Sequence, residues 1–426
     1  MRTPIALGML VLFAPKVSVA QERALTLSQA TEIALRANPD VQEARAAVDA
    51  ARGNRLVAGS LAFPVLGIEF AEVEGVEAAS FGETRVGVSQ AFPFPGKRPL
   101  RRTVADATVG IAEARLHVIE VLTRRAVAEA FFRVQRLEAG RRTLLESAAL
   151  ASDLVEVVRG RYRLDRASYG DLLSFLIEHA RVQEEILALE NELRAARTDL
   201  ALLLGFPSTE TLEPMGPFEY RPLEGSLRAW LARRRAESGA LGIARLEVER
   251  ARSDLRLARL TTYPDFEVGL FYQRLNESRP ESFLAAELSI DLPVWRDRPQ
   301  GREMTAVAEL RAAQIRSAAT ERRLEADVRD AFAGAATNEN RVELFRDRLL
   351  EDTEAALENA IDVYRNGRLD AVALLDAYRT SKEVRIDYLE TLEGYLRALV
   401  RLQTAGEFDA LETAQSRPAA EEEVSP

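Results

Sequence analysis

At 426 residues, 47% of them hydrophobic, the chain is long enough for two or three domains and a folded core, and its composition is not that of a disordered protein. Its 57 basic and 67 acidic residues leave a net charge of -10, which offers no basic field to nucleic acid. The absence of cysteine rules out disulfides, thiolate metal sites, a cysteine nucleophile and an acylated N-terminal cysteine, so any membrane attachment has to come from the fold.

Residues 1–20 have the layout of a secretory signal: Arg2 is the charged start, Ile5 to Phe13 the apolar run, and Ser18-Val19-Ala20 the small residues of a cleavage site. The mature chain is then expected to begin near Gln21. That run is too short to span a bilayer, and nothing after it approaches the ~20 apolar residues of a transmembrane helix. If the chain sits in a membrane, it does so as strands.

From about Leu27 to Ala62 the apolar positions recur at helical spacing through Ala30, Ile33, Ala34 and Ala37, with Ser28 or Thr26 as the cap. The period then drops to two. Leu66, Ile68 and Phe70 fall on one face and Gly67, Glu69 and Ala71 on the other. After a polar turn at Glu74 to Glu83, Val86 and Val88 alternate with Gly87 and Ser89, which predicts a β-hairpin over about 63–94. No proline interrupts the chain from about Pro99 to Gly160, enough for a helix of about 60 residues and roughly 90 Å. A return helix to about 205 carries a coiled-coil stripe, Ile186, Leu189, Leu193, Ala196, Leu200 and Leu203. Pro207, Pro214, Pro217 and Pro222 then mark a linker over 206–226, where helices end and the backbone stays extended.

The second half repeats the first. At a shift of 200, Ala44-Arg45 meets Ala244-Arg245, Phe63-Pro64 meets Tyr263-Pro264, Ser89 meets Ser289, Pro93 meets Pro293 and Phe132 meets Phe332. Two slipped positions later, Tyr162-Arg163 falls on Tyr364-Arg365 and Leu172-Leu173 on Leu374-Leu375. The chain reads as a tandem duplication, with a first repeat over 21–205 and a second over 227–406. The second repeat has its own hairpin at about 263–294 and its own long helix pair at about 299–406, striped by Ile386, Leu389, Leu392, Leu396 and Leu399. In its hairpin, Phe266, Val268 and Leu270 are opposed by Glu267 and Gly269. Its return strand sets Leu284, Ala286, Leu288, Ile290 and Leu292 against Ala285, Glu287, Ser289 and Asp291. One face is expected to be apolar throughout and the other small, polar or acidic. Residues 407–426 close on Glu421-Glu422-Glu423 and are expected to form an acidic, disordered tail.

A strand of about ten residues with one apolar and one polar face is the unit of a transmembrane β-barrel. Four such strands in an open sheet would leave edge N–H and C=O groups unpaired in lipid, at several kcal/mol each, so closure has to come from further copies. Two copies would supply eight strands, and three would supply twelve, with room for a lumen. Arg and Glu recur along the long helices, which must therefore project into water. The fold class is an α+β membrane protein: an oligomeric barrel with four strands per subunit, continued by a long coiled-coil helical barrel. A secreted periplasmic coiled-coil scaffold with no pore is the alternative from another class. That scaffold shares the helices but has no use for four strands with matched apolar faces.

Over nearly the whole mature length the chain resembles the TolC-type outer-membrane efflux family. The resemblance rests on Leu27-Ser28-Gln29-Ala30 with Asn38-Pro39, on the duplicated Phe-Pro or Tyr-Pro entry to each hairpin, and on the segments Tyr162 to Leu173 and Tyr364 to Ala377. Ser89-Gln90-Ala91-Phe92-Pro93-Phe94-Pro95-Gly96-Lys97-Arg98 resembles the heavy-metal cation efflux branch, the CzcC-like proteins. The resemblance implies a homotrimer in the outer membrane of a Gram-negative bacterium, with a twelve-stranded barrel and a long periplasmic tunnel. It also implies partnership with a periplasmic adaptor and an inner-membrane pump. Export of heavy-metal cations, of drugs or of proteins all fit such a duct.

Site expectations follow from these segments. The lipid-facing positions are Leu66, Ile68, Phe70, Val268, Leu284, Leu288 and Ile290. The resemblance makes the helix-joining turns the tunnel tips that meet the adaptor, with Arg163, Leu164 and Asp165 in one and Asn366, Gly367, Arg368, Leu369 and Asp370 in the other. It matches Tyr364 to a gate tyrosine and Asp376 to an aspartate that narrows the tunnel mouth, where a carboxylate ring attracts cations. Asn-Gly permits the left-handed backbone that the second turn needs, whereas the first has Asp165 there. With only His117 and His179, and no carboxylate cluster at ligand spacing, neither catalysis, a cofactor nor a resident metal is expected.

Overall fold

The computed structural model describes residues 23–71, 83–207, 212–275 and 281–407. The signal segment 1–20, most of the first hairpin turn and the tail beyond Glu407 lie outside the described residues. The chain divides into two compact units. One comprises the chain up to Ala34 with Ala126–Tyr220 and Arg341–Leu396; the other comprises Leu35–Arg125, Arg221–Asn340 and the chain from Arg397.

In the first unit a short strand, β1 (Arg23–Thr26), pairs in parallel with β4 (Leu212–Met215), placing Arg23 opposite Leu212 and Thr26 opposite Met215. The linker is therefore partly a strand. Thr26 opens helix α1 (Leu27–Ala37): its N–H donates to Gln29 Oε1 at 2.9 Å, and its hydroxyl accepts from the Gln29 N–H at 3.4 Å. Of the two expected caps it is Thr26, not Ser28, that makes this reciprocal pair. Ala30 and Ala34 pack with Phe131 and Val134 of α3 (Lys97–Arg163), Leu193 and Leu200 of α4 (Tyr169–Leu203), and Leu212. A second core at the far end of these helices joins Val158, Leu172 and Phe175 to Tyr364 of α8 (Leu350–Arg365) and Leu374 and Tyr378 of α9 (Ala371–Gln403).

The single helix expected over 27–62 is broken. Asn38 Oδ1 accepts from the Asp40 N–H at 2.9 Å, and Pro39, which has no N–H to offer, starts α2 (Pro39–Gly59). Two hundred residues on, Ser238 does the same between α5 (Leu227–Glu237) and α6 (Gly239–Leu260), its hydroxyl accepting from the Leu241 N–H at 3.3 Å. The second long helix, α7 (Asp297–Leu344), passes into α8 through a π-helical turn at Phe345–Leu349. A π turn holds extra residues, and this one falls where the spacing between matched positions grows from 200 to 202.

The second unit carries a four-stranded antiparallel sheet in the order β2 (Val65–Ala71), β3 (Glu83–Phe92), β5 (Phe266–Leu275), β6 (Glu281–Ile290). Among the described residues β2 and β6 are its open edges. The helical core of this unit gathers Leu241, Leu324, Val328 and Leu402. It also holds Glu407, which the tail was expected to include. Glu407 is fully buried, pairs with Arg234 Nη2 at 2.5 Å, and accepts from the Gly239 and Ala240 N–H groups at 3.2 Å each. The carboxylate thus sits on the N-terminal end of α6, where the helix dipole favours a negative charge.

Candidate functional site: sheet faces, hairpin joint and helix tips

The strand register decides which side chains share a face. Leu66 pairs with Val88 and Ile68 with Val86; Val88 pairs with Leu270 and Val86 with Tyr272; Val268 pairs with Leu288, Tyr272 with Leu284 and Phe266 with Ile290. Directly opposed residues point the same way, so all seven expected lipid-facing positions lie on one surface. They are between 41% and 75% exposed. Four polar residues interrupt this face where unbroken apolar character was expected. Thr84, Arg274 and Ser282 lie toward the hairpin ends, and Gln90 near the base satisfies its amide on the Ala62 carbonyl at 3.0 Å.

The opposite face is also less simple than expected, because Phe271 and Phe283 sit on it beside Arg85, Glu287 and Ser289. Arg85 lies over the Phe271 ring, 3.5 Å from guanidinium carbon to centroid, and its Nη2 reaches Glu287 at 2.6 Å. Gly87 makes this possible: a Cβ there would stand 2.5 Å from Phe271 Cβ.

At the base of the sheet, the Phe-Pro-Phe-Pro-Gly-Lys segment locks one hairpin to the other. Phe92 stacks on Phe266 with centroids 5.6 Å apart, and Phe94 on Tyr263 at 4.6 Å. Lys97, almost fully buried, donates to Asp265 Oδ1 at 2.8 Å and to the Tyr263 carbonyl at 2.9 Å, while the Phe94 N–H donates to the same carboxylate at 2.6 Å. Burial pulls the Asp265 carboxyl upward, but the hydrogen bonds from Lys97 and Phe94 and the charges of Lys97 and Arg101 outweigh it and hold the group below its ordinary value. The segment that suggests a metal-efflux branch is thus a structural joint in this chain. Among the described residues no group of three or more His, Asp or Glu could hold a metal ion.

The two helix tips close in the same way. At the end of α3, the Arg166 N–H donates to the Arg161 carbonyl at 2.9 Å and the Asp165 N–H to that of Tyr162 at 3.0 Å. At the end of α8, the Arg368 N–H donates to Val363 at 3.0 Å and the Gly367 N–H to Tyr364 at 2.9 Å. Both are Schellman motifs. Asp165 takes φ +55° where Gly367 takes +77°, so an aspartate holds the left-handed position that the second tip gives to glycine. The following helices are capped at matched positions, α4 by Ser168 on the Asp171 N–H at 3.1 Å and α9 by Asp370 on the Ala373 N–H at 2.7 Å.

Of the expected tip residues, Arg163, Leu164, Asp165, Asn366, Gly367, Arg368 and Asp370 are exposed, whereas Leu369 is half-buried against the tip core. The two gate residues differ in setting. Asp376 is exposed on α9. Tyr364 is only 2% exposed inside its own chain's core, with Arg161 lying 4.6 Å over its ring and donating to its carbonyl. Its hydroxyl is buried without a hydrogen bond, and burial pushes its pKa up, opposed by Arg161 and aided by Asp171.

Residue reading missed Arg161, whose counterpart in the second repeat is the apolar Val363. It also missed the buried ion cluster below the tip. There Arg379 Nε donates to Glu178 at 2.7 Å, Lys382 reaches Glu178 at 3.5 Å and Glu185 at 2.8 Å, and the Tyr378 hydroxyl donates to the Ser147 carbonyl at 2.8 Å. Burial, reinforced by Glu178 and Glu185, raises the Tyr378 pKa strongly.

Among the described residues no helix is long and apolar enough to cross a membrane, and the exposed apolar side chains of Leu66, Ile68, Phe70, Leu284, Leu288 and Ile290 gather on one face of the sheet. The family model of outer membrane efflux proteins matches this chain twice, at residues 30–206 and 230–406. The chain belongs to that family. It is 24% identical over 368 residues to the cobalt-zinc-cadmium resistance protein CzcC of Cupriavidus metallidurans, covering 86% of each chain. Its fold is similar to that of the outer membrane protein VceC of Vibrio cholerae, with a TM-score of 0.73 at 20% identity over 89% of this chain and 96% of that one. It is likewise similar to the open state of the MtrE outer membrane channel of Neisseria gonorrhoeae, with a TM-score of 0.75 at 16% identity over 89% and 88%. As a family member the chain is a transport protein of the outer membrane of a Gram-negative bacterium, with an extended periplasmic helical portion.

Proposed function

We propose that the chain is one copy of a homotrimeric efflux duct that passively conducts its substrate from a periplasmic adaptor and an inner-membrane pump to the cell exterior. The observation that carries this reading is the sheet: four strands with one mainly apolar exposed face, an opposed face mostly of small and charged residues with Phe271 and Phe283, and, among the described residues, two open edges. In lipid such edges have to be paired by further copies, and three copies make a twelve-stranded barrel with a lumen. The double match to the family model and the recurrence of helix breaks at Asn38 and Ser238 support an origin by tandem duplication. The signal over 1–20 and the acidic tail, now beginning after Glu407, belong to the same reading.

Heavy-metal cations are the proposed cargo, supported by the likeness to CzcC and by the Ser89 to Arg98 segment. A duct needs no tight site for them, since tight binding slows exit. The exposed tips, Arg163 to Asp165 and Asn366 to Asp370, are the proposed adaptor contacts, and three copies of Asp376 the proposed cation-attracting ring. Tyr364, buried in its own chain, would act on the gate by holding the tip core together.

Planar-bilayer recording of the purified protein tests this. Conductance with cation preference is expected, and Asp376→Ala should weaken that preference at low salt. The effect should shrink at 1 M salt, where the Debye length falls to about 3 Å. Unchanged selectivity would remove Asp376 from the gate, and recovery of the protein as a soluble periplasmic monomer would favour the scaffold.

A further inference from the structure

The face of the sheet opposite the apolar one is an acidic ladder with a gap in its middle. Along it the strand registers give five levels of directly opposed residues, each about 7 Å from the next. From the base outward, Glu267, Glu287 and Glu69 stand at three of these levels, and Glu83 with Glu281 at the outermost. The middle level, made by Gly67, Gly87, Phe271 and Ala285, has no charge of its own. Arg85 is the single cationic side chain on this face among the described residues, and it fills that gap. Its guanidinium carbon lies 3.5 Å from the Phe271 ring centroid, and its Nη2 reaches Glu287 at 2.6 Å, so the side chain crosses from β3 over β5 to β6. Glycines make the room. Gly67, Gly87 and Gly269 border a hollow of about 280 Å³ in this part of the sheet, and a Cβ on Gly87 would strike Phe271. At a shift of 200 Arg85 becomes Ala285, so each copy carries this strap once.

We propose that Arg85 is a charge-selectivity determinant of the duct: the one positive group on an otherwise acidic wall, it restrains the cation preference that the carboxylates create. The inference rests on the reading of this face as the wall of a lumen. The cation–π contact and the charge-assisted hydrogen bond together fix where the positive charge stands, whereas an unanchored arginine would spread its charge over the lumen. Arg85 also cancels Glu287, the carboxylate just below the gap, and so breaks the ladder at two successive levels. In a water-filled path, a unit charge about 7 Å from a passing ion changes that ion's local concentration about threefold. Removing Arg85 therefore acts with the opposite sign to removing Asp376, which keeps the two determinants apart.

Reversal potentials of the purified protein in planar bilayers, under a potassium chloride gradient at low salt, test this. Arg85→Gln is expected to raise the ratio of cation to anion permeability about threefold, and Glu287→Gln, which leaves Arg85 uncancelled, to lower it about threefold. Combining the two should bring the ratio back toward that of the parent. Arg85→Lys keeps the charge and should fall nearer the parent than Arg85→Gln does. All these differences should contract at 1 M salt, where the Debye length is about 3 Å. Shifts of the same sign in Arg85→Gln and Glu287→Gln would assign the effect to a disturbed sheet and overturn the proposal. Conducting variants that keep the parent ratio would also overturn it while leaving the duct reading standing. A parent protein recovered as a soluble monomer would overturn both.

Discussion

The helix tips and the sheet handle apolar side chains in opposite ways. At the tips a single chain buries Leu374, Phe175 and Tyr378 almost completely, between helices whose ends are capped by matched turns. In the sheet the same chain leaves Leu284, Leu288 and Leu66 more than 60% exposed and, among the described residues, pairs no strand to β2 or β6 beyond the sheet's own members. Substitutions at the tips should therefore change the stability of the chain itself. Substitutions in the sheet should change its transfer into lipid and its association with other copies.

The largest effect on the tip side is expected from Leu374→Ala, which empties a fully buried site and should cost about 2–5 kcal/mol, read as a lowered Tm. Membrane recovery of the surviving folded protein should not change; its loss at temperatures where the tips are still folded would show that the two regions are not separable in this way.

Lys97→Met strikes the base of the sheet, removing two hydrogen bonds to Asp265 and the Tyr263 carbonyl, one of them charge-paired, at about 2 kcal/mol. Because the folded Asp265 value lies below its unfolded one, the contribution is present above the ordinary carboxylate range and is lost as pH falls through the depressed value. Acid titration followed by tryptophan fluorescence should show that loss in the parent protein and a smaller one in Lys97→Met, where the Phe94 N–H and Arg101 remain. Equal acid sensitivity of the two would place the joint's stability elsewhere.

A smaller effect, of opposite sign, belongs to Asp165→Gly. It relieves a left-handed aspartate at a turn whose twin already uses Gly367, and should raise stability by up to about 1 kcal/mol. Gly367→Asp should lower it by a similar amount. A drop in Tm for Asp165→Gly would mean that the aspartate side chain contributes more to its turn than its backbone costs.

Local pattern made much of this fold legible. The alternation of Leu66, Ile68 and Phe70, and of Leu284, Leu288 and Ile290, could be read because each strand contacts its surroundings on two distinct faces. The proline-free stretches located α3 to within a few residues and the start of α7, but not the π-helical turn at Phe345–Leu349 that separates α7 from α8. What could not be read depends on partners distant in sequence. Arg161 with Tyr364, Lys97 with Asp265 and Glu178 with Lys382 each join residues more than 160 positions apart, and no spacing rule connects them. Glu407 looked like tail because it opens an acidic run, yet the core of the second unit claims it through Arg234. The break at Asn38-Pro39 was visible as a motif but not recognised as a helix end. Phe271 escaped because it follows the apolar run of β5 out of phase, and only the pairing with Gly87 shows the room it occupies.

The central claim, that the apolar face meets lipid and its opposite faces a lumen, is tested most directly by two adjacent residues of β6. Leu288 and Ser289 share a strand and point to opposite sides, Leu288 beside Val268 and Ser289 beside Glu267. Insertion into preformed lipid vesicles, measured by flotation of Leu288→Arg and Ser289→Arg, should show a cost of about 2–4 kcal/mol for the first and little for the second. Equal insertion of the two variants would contradict the assignment of the faces.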